Sequence, residues 1–330
     1  MRIILKKSKQ LISILLVLTL SVSCNNTNNK TKKDDNTISG KLVIFHAGSL
    51  SVPFKQIATE FNKEYPNVKV VLEPAGSRKC ARKITDLNQD CDIMASADYK
   101  VINNLLIPDY ADWNIKFASN EMAIVYNEKS HYANEINKDN WYKILLKKDV
   151  AFGRSDPNSD PCGYRAVLTS KLAEKYYKQN GLAKKLLAKD LNYMRPKEVD
   201  LLSLLEANAI DYIYLYRSVA EQHNLKFLIL PDSVNLKNPE LGEYYSTVSV
   251  KVNGRKPGEK ITHKGEAMVY GVTILKNVKN KPAAEAFTKF LLNKEKGVKI
   301  MEENGQPSVI PSYTSTFDKI QDDFKQFAKK

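Results

Sequence analysis

A serine and a histidine stand close together in the segment FHAGSLSVPF, residues 45–54, directly after the apolar run 42–44. Ser49 could act as a nucleophile with His46 as its base, the arrangement of an exported serine hydrolase. A nucleophile elbow, however, has the pattern G-x-S-x-G, whereas here Gly48 directly precedes Ser49 and no glycine follows it. Spacing alone does not bring the two side chains within hydrogen-bond distance, so the hydrolase stays an alternative hypothesis.

Other enzyme signatures are missing from the sequence. It contains no G-x-x-x-x-G-K-[ST] phosphate loop, no H-E-x-x-H and no G-x-G-x-x-G. The spacing of Cys80, Cys91 and Cys162 does not indicate a zinc site. Cys80 and Cys91 could form a disulfide or remain buried thiols, and the sequence leaves both open. We therefore expect a binding protein with no catalytic activity and no cofactor.

The elements around Ser49 favour a different chemistry. Residues 42–45 form a predicted buried strand, and apolar residues at helical spacing then run from Phe54 to Tyr65. Ser51 is the predicted N-cap of this helix, and Pro53 suits its first turn. Ser49 thus lies at a helix N-terminus, where unpaired backbone N–H groups and the helix dipole favour an anion.

The same order of strand, small-residue turn and helix recurs along the chain. The later turns lie at Ser77, at Cys162–Gly163 and at Tyr216–Ser218. This repetition predicts an α/β protein with mainly parallel sheets, in which ligands bind at the carboxyl ends of the strands. One such serine alone would usually only cap its helix, but several at comparable strand ends favour a shared anion site.

Two apolar segments, residues 121–127 and 267–275, flank the middle of the chain. We interpret them as crossover strands that join two lobes. Lobe 1 then comprises residues 41–123 and 270–330, and lobe 2 comprises residues 124–269. The predicted ligand site is the cleft between the lobes.

The N-terminal residues have the pattern of an exported protein. Residues 1–23 combine a basic start with the apolar run 11–20, which is typical of a signal peptide and too short to span a membrane. Cys24 follows small residues as in a bacterial lipobox, although Ser21 stands where leucine is usual, so Cys24 is the predicted lipidation site. Residues 24–40 are polar and form a predicted flexible tether. We expect a lipid-anchored protein on the extracytoplasmic side of the membrane.

The formal net charge of +14 would suit nucleic acid, a membrane surface or an anionic ligand. No arginine-rich cluster interleaved with aromatic residues is present, so we expect no nucleic-acid partner. Most of the lysines are expected on solvated helix faces.

Six segments in fixed order carry a family resemblance: FHAGSL, AGSRKCARKITDL, ASADY, PDYADW, SDPNSDPCGYRA and DYIYLYRSVAEQH. Over residues 41–310 the chain resembles the tungstate- and molybdate-binding proteins of the Wtp/Mod type, the extracytoplasmic subunits of ABC importers. The resemblance implies a type II periplasmic-binding-protein fold, a hinge between two lobes and an oxyanion in the cleft. It also implies a monomer that delivers tungstate or molybdate to an ABC permease and its ATPase.

The resemblance further implies which residues bind the anion. The family's donors match Gly48, Ser49, Ser77, the backbone N–H of Cys162 and the hydroxyl of Tyr216.

Asp160 matches a carboxylate that can contact the metal directly in this family, although an aspartate before Pro161 is also an ordinary turn residue. Its usual companion is a glutamate immediately before the tyrosine, and here that position is Leu215. We therefore expect fewer than six oxygen ligands around a bound metal. Sulfate, phosphate or another oxyanion remains an alternative ligand.

Overall fold

The computed structural model of the chain describes residues 38–330. The predicted signal peptide, the lipidation site Cys24 and most of the tether lie outside the described residues. The strands are β1 (Gly40–Ala47), β2 (Val68–Ala75), β3 (Ile93–Ser96), β4 (Ile115–Ser119), β5 (Met122–Tyr126), β6 (Phe152–Gly153), β7 (Tyr212–Tyr216), β8 (Lys226–Ile229), β9 (Ser249–Asn253), β10 (Lys260–Lys264), β11 (Val269–Ile274), β12 (Ser312–Tyr313) and β13 (Ala328–Lys329).

The α-helices are α1 (Ser51–Glu64), α2 (Ser77–Thr85), α3 (Tyr99–Val101), α4 (Trp141–Leu145), α5 (Pro161–Tyr176), α6 (Leu182–Lys189), α7 (Leu202–Glu206), α8 (Arg217–Gln222), α9 (Asp232–Asn235), α10 (Gly242–Ser246), α11 (Lys281–Leu292), α12 (Lys299–Glu303) and α13 (Asp322–Lys325). Short 3-10 helices lie at Gly48–Leu50, Asp190–Tyr193, Glu198–Leu201, Pro239–Leu241 and Phe317–Lys319. Single π-helical turns follow α3 at Ile102–Leu106 and α11 at Lys294–Val298.

A five-stranded sheet has the strand order β2-β1-β3-β11-β4. Strand β1 pairs in parallel with β2 and with β3, and its residues 42–47 are all buried, as expected for a central strand covered on both faces. The register sets Ala47 opposite Ala75, so the chain leaves β1 and β2 at the same edge of the sheet. We call residues 40–119 and 269–330 the five-strand part.

A four-stranded sheet has the order β6-β7-β5-β8. Strand β7 pairs in parallel with β6 and antiparallel with β5, and Tyr216 lies opposite Met122. The end of β7 therefore lies where the chain enters this sheet from β4. We call residues 122–268, which include the β9–β10 hairpin, the four-strand part.

The α/β fold was predicted correctly, but both sheets are mixed rather than mainly parallel. Strand β11 runs antiparallel to β3 and β4, and β5 runs antiparallel to β7 and β8. These are the strands that follow the two passages between the parts, so they enter their sheets from the opposite direction. Met122 and Ala123, which the prediction assigned to lobe 1, pair within the four-stranded sheet. The lobe boundaries themselves stay a prediction.

Two local predictions can be compared with the structure. Ser51 is the first residue of α1 rather than its N-cap, and its hydroxyl donates to the carbonyl of Gly48 at 2.6 Å. Cys80, Cys91 and Cys162 are all buried free thiols, so the disulfide alternative is not what the structure contains. Among residues 38–330, no helix combines the length and apolar character that a membrane span requires.

Candidate functional site

The predicted donor residues come together at the carboxyl ends of strands from both sheets. Gly48 and Ser49 follow β1, Ser77 begins α2 directly after β2, and Tyr216 ends β7. Ser49, Ser77 and Tyr216 are each at most 1% exposed. The parallel register of β1 and β2 explains why two of these turns are neighbours.

Two glycines allow the opposite parts to approach at this site. A Cβ atom at Gly76 would lie 2.5 Å from the backbone oxygen of Ser159 in the four-strand part. A Cβ atom at Gly48 would lie 3.0 Å from Oε1 of Glu198 and 3.1 Å from Oε2. Any larger residue at position 76 would clash with the backbone of Ser159, which cannot rotate away as a side chain could. The two Ala-Gly-Ser turns, residues 47–49 and 75–77, therefore allow the two parts to come close together as well as beginning a helix.

A buried pair of carboxyl groups lies at the centre of this contact. Asp160 is the N-cap of α5, where one carboxylate oxygen accepts from the N–H of Cys162 at 3.2 Å and the other from the N–H of Glu198 at 3.0 Å. Glu198 begins a 3-10 helix and is fully buried, and neither of its carboxylate oxygens has a hydrogen-bond partner. An acceptor pair left unpartnered in the interior is costly unless a ligand uses it.

Burial raises the pKa of both acids. Burial raises the pKa of Asp160, against the lowering effect of its hydrogen-bond donors. Burial first, and the neighbouring Asp160 second, raise the pKa of Glu198 well above its ordinary value. Two adjacent buried carboxylates cannot both be ionised cheaply without a positive centre between them.

Glu198 is an acidic residue that the expectation built on Leu215 did not include. The side chain of Leu215 is buried in the apolar core and offers no ligand atom. Glu198, 17 positions earlier in the sequence, instead brings a second carboxyl group beside Asp160. No spacing signal marks Glu198, since it is one of 37 acidic residues and lies in an irregular segment beside Lys197 and Asp200.

The predicted hydrogen-bond donors at the site differ in whether they are already bonded within the protein. The N–H of Cys162, a predicted donor, is engaged by Asp160. The oxygen of Ser77 accepts from the N–H of Ala97 at 3.0 Å, and the oxygen of Tyr216 accepts from Nη1 of Arg165 at 3.0 Å. Each of these two hydroxyls therefore keeps its own hydrogen for another acceptor.

His46 has a structural environment rather than a catalytic one. It is 1% exposed, its Nδ1 bonds the carbonyl of Ala47 at 2.8 Å, and its ring packs against Phe54 with centroids 5.3 Å apart. Burial lowers the pKa of His46 from 6.5 to about 4. The hydroxyl oxygen of Ser49 instead receives a hydrogen bond from Tyr270 at 3.1 Å. The described structure thus lacks the bond between Ser49 and His46 that the hydrolase alternative needs.

Side chains of the four-strand part reach across to the five-strand part beside the site. Arg165 donates to the carbonyl of Ala97 at 2.7 Å and lies 3.6 Å from the carboxylate of Asp98, which also accepts from the hydroxyl of Tyr164. These groups are all at most 3% exposed. Since Arg165 also contacts Tyr216, one side chain links a site hydroxyl to the opposite part.

The arrangement suits a tetrahedral oxyanion better than a bare cation. In the part of the chain that the structure describes, no group of three or more His, Cys, Asp or Glu side chains could hold a metal ion. The site instead combines hydroxyl donors and a helix N-terminus with two carboxylates. Donors bind the oxygens of an anion, and carboxylates bind a positive centre within it.

Sequence comparisons place the chain among solute-binding proteins. The family described as bacterial extracellular solute-binding protein matches residues 42–306. A molybdate/tungstate-binding protein WtpA of Pyrococcus abyssi is 45% identical over 298 residues, which cover 82% of this chain and 85% of that protein. An uncharacterized solute-binding protein of Petrotoga mobilis is 51% identical over 293 residues, covering 88% and 91%.

Solved structures share the architecture at low sequence identity. The periplasmic molybdate-binding protein of Azotobacter vinelandii is similar with a TM-score of 0.60 and 18% identity, over 82% of this chain and 99% of that one. The sulfate-binding protein SubI of Mycobacterium tuberculosis has a TM-score of 0.55 and 12% identity, over 82% and 88%. These similarities confirm the predicted periplasmic-binding-protein fold. The chain therefore belongs to the family of bacterial extracellular solute-binding proteins.

Proposed function

We propose that this protein is the substrate-binding subunit of an ABC importer and that it captures tungstate and molybdate between its two parts. It would then deliver the oxyanion, as a monomer, to a membrane permease driven by an ATPase. Relatives support this ligand class: besides the Pyrococcus abyssi protein, a molybdate/tungstate-binding WtpA of Thermococcus kodakarensis is 39% identical over 332 residues, covering 91% of each chain.

The observation that carries the proposal is the buried pair of Asp160 and Glu198 among anion donors. A dianion that faced two ionised carboxylates would be repelled strongly in a site without water. Direct bonds from the carboxylates to an electrophilic hexavalent metal remove that conflict. Sulfur in sulfate and phosphorus in phosphate do not accept two further oxygen ligands, so the pair favours the metal oxyanions.

The same pair sets the expected coordination of the metal. Four oxo ligands and one oxygen each from Asp160 and Glu198 give six oxygen ligands, in place of the smaller number expected from Leu215. X-ray absorption on the tungstate complex would count them. A four-oxygen shell in the complex would mean that neither carboxylate bonds to the metal.

Titration calorimetry of the wild-type protein tests the ligand class. Tungstate and molybdate should bind, with sulfate and phosphate binding far more weakly. If sulfate or phosphate gave a heat of binding and tungstate and molybdate gave none, the protein would be a receptor for another oxyanion and the metal-oxyanion hypothesis would be rejected.

A variant of Glu198 tests its assigned role. Glu198→Gln keeps the shape of the side chain but weakens its bond to a metal, so tungstate affinity should fall about 100-fold or more, by analogy with loss of a charged hydrogen-bond partner. Asp200→Asn is the matched control, because Asp200 belongs to the same 3-10 helix and pairs with Lys197 at the surface. Equal effects of the two substitutions would reject direct ligation by Glu198.

Attachment to the membrane is a separate part of the proposal. The relatives are solute-binding proteins, which act outside the cytoplasm, and Cys24 is the residue we propose for lipidation. In cells fed labelled palmitate, the label should be incorporated into the wild-type protein and into Cys91→Ala but not into Cys24→Ser. Labelling of Cys24→Ser would exclude Cys24 as the acylated residue.

A further inference from the structure

Tyr270, a residue outside the predicted anion donors, is hydrogen-bonded to the hydroxyl group of Ser49. It lies in β11, two residues into the strand, and is fully buried. Its hydroxyl donates to Oγ of Ser49 at 3.1 Å. The same oxygen accepts from Nδ2 of Asn120 at 2.9 Å and from Nε2 of Gln306 at 3.3 Å.

Backbone groups fix the direction in which both amides point. Oδ1 of Asn120 accepts from the N–H of Glu121 at 2.9 Å, so Nδ2 must be the end that faces Tyr270. Nε2 of Gln306 donates to the carbonyl of Ser49 at 3.0 Å, which accepts only. Tyr270 therefore receives two N–H groups at its oxygen, and its single hydrogen is left for Ser49.

We propose that these four residues form a relay that locks Ser49 as a hydrogen-bond donor to the bound anion. The relay runs from Asn120 and Gln306 through Tyr270 to Ser49. Because the oxygen of Ser49 already accepts from Tyr270, its hydrogen turns toward the ligand. Tyr270 is thus a positioning residue that favours an oxyanion with no proton of its own. This inference rests on the proposed function, since it assumes that an oxyanion binds beside Ser49.

The relay also links the proposed ligand site to the two segments where the chain passes between the parts, one from β4 to β5 and the other at the start of β11. Asn120 lies between β4 and β5, and Tyr270 lies near the start of β11, where the chain returns. The second hydrogen of the Asn120 amide goes to Oγ of Ser218 at 2.7 Å, in the first turn of α8. The direction of the Ser49 hydroxyl therefore depends on the geometry of the passage.

A double-mutant cycle tests whether Tyr270 acts through Ser49. Tyr270→Phe should weaken tungstate binding about five- to tenfold, the scale of one hydrogen bond. Ser49→Ala should weaken it at least as much. The double variant should bind like Ser49→Ala alone, since the relay reaches the ligand through the hydroxyl of Ser49 and the phenylalanine keeps the ring contact of Tyr270 with Tyr216.

Tyr214→Phe is the matched control. Tyr214 is also a buried tyrosine, and its hydroxyl bonds Ser170 at 3.0 Å, but Ser170 passes its hydrogen to the carbonyl of Ala166 at 2.8 Å rather than to a ligand. This variant should lower the melting temperature without changing tungstate affinity. If Tyr270→Phe does not fold, Asn120→Ala in the same cycle with Ser49→Ala replaces it, with the same expected non-additivity.

The outcomes separate this inference from the proposed function. If the wild type binds no metal oxyanion, the proposed function fails. If the wild type binds tungstate but Tyr270→Phe binds it equally well, or if the losses from Tyr270→Phe and Ser49→Ala multiply, the relay is rejected and the proposed function stands. Loss of affinity in Tyr214→Phe equal to that in Tyr270→Phe would also reject it.

Discussion

At the scale of single residues, the proposed site is marked by buried polar side chains whose hydrogen-bonding groups have no partner among the described residues. His46 is a neutral ring because it is buried against Phe54, and this burial outweighs the bond from Nδ1 to the carbonyl of Ala47, which favours the charged form. Glu198 is buried without partners, which is a cost that a folded protein accepts where it binds something. The two residues look alike in a sequence, as polar side chains near turns, but only Glu198 is left with unmet bonding capacity.

The buried state of His46 predicts how stability changes with pH. Its pKa is lowered from 6.5 to about 4, so the folded state binds fewer protons than the unfolded state between those values. The stabilising contribution is full above pH 6.5 and is lost as the pH falls toward 4. At pH 5 this costs about 2 kcal/mol of unfolding free energy.

Urea unfolding of His46→Asn, which can keep the bond to Ala47, measures this contribution. The variant should be less stable than the wild type at pH 7.5, and the gap should narrow by about 2 kcal/mol at pH 5. His223→Asn, at an exposed position, should show the same gap at both pH values. A constant gap for His46→Asn would mean that folding does not lower the pKa of His46.

At the scale of elements, α5 carries several roles within its first turns. Its cap Asp160 belongs to the proposed anion site, and Arg165 in its second turn reaches Ala97 of the five-strand part and Tyr216 of β7. Tyr216 lies in the same part as Arg165, whereas Ala97 lies in the other, so the bond to Ala97 forms only while the two parts are together. The helix should therefore slow ligand release once the site is occupied.

Arg165→Lys tests this role. A lysine is a point donor and cannot hold Ala97 and Tyr216 in the same geometry, so tungstate should dissociate about 10- to 100-fold faster, with association little changed. Stopped-flow fluorescence gives both rates. Arg255→Lys is a graded control, because Arg255 also bonds across the parts, to Asp109 at 2.9 Å, but at the surface. It should change release less than about threefold. Equal release from Arg165→Lys and the wild type would remove Arg165 from the closing mechanism.

The elements also show what could be predicted from the sequence. Strand, turn and helix patterns were enough to place Ser49 and Ser77 at one edge of a sheet, because local periodicity and parallel pairing determine that edge. The same patterns predicted the strand that Tyr216 ends, which belongs to the other sheet. Glu198 could not be found in this way. Its position depends on hydrogen bonds between distant segments: the N–H of Asp156 donates to the carbonyl of Arg195, and the carboxylate of Asp160 accepts from the N–H of Glu198 itself. Such contacts follow from the tertiary fold and leave no periodic signal.

At the scale of the whole molecule, helix α2 contributes both to the proposed ligand site and to the contact between the two parts. Ser77 at its start belongs to the proposed anion site. In the same helix Arg78 donates to the carbonyl of Asn158 at 3.1 Å and Arg82 to that of Gly254 at 2.6 Å. The N–H of Lys79 donates to the carbonyl of Ser159 at 3.1 Å. These bonds exist only when the parts meet. The meeting also buries Asp160 and Glu198, which both lie in the four-strand part, and a metal centre bonded to the two carboxylates would offset the cost of that burial.

An oxyanion should therefore shift the molecule toward the joined arrangement, since it interacts with both parts there and with one part otherwise. Small-angle X-ray scattering should show a smaller radius of gyration with tungstate than without it. At a thousandfold excess over the dissociation constant, tungstate should also raise the unfolding free energy by about 4 kcal/mol. In Glu198→Gln at the same tungstate concentration, both effects should shrink together, because the two carboxylates then no longer bond one metal. Stabilisation of the wild type without compaction would mean that the anion binds to one part alone, and that the contacts of α2 are present whether or not the site is filled.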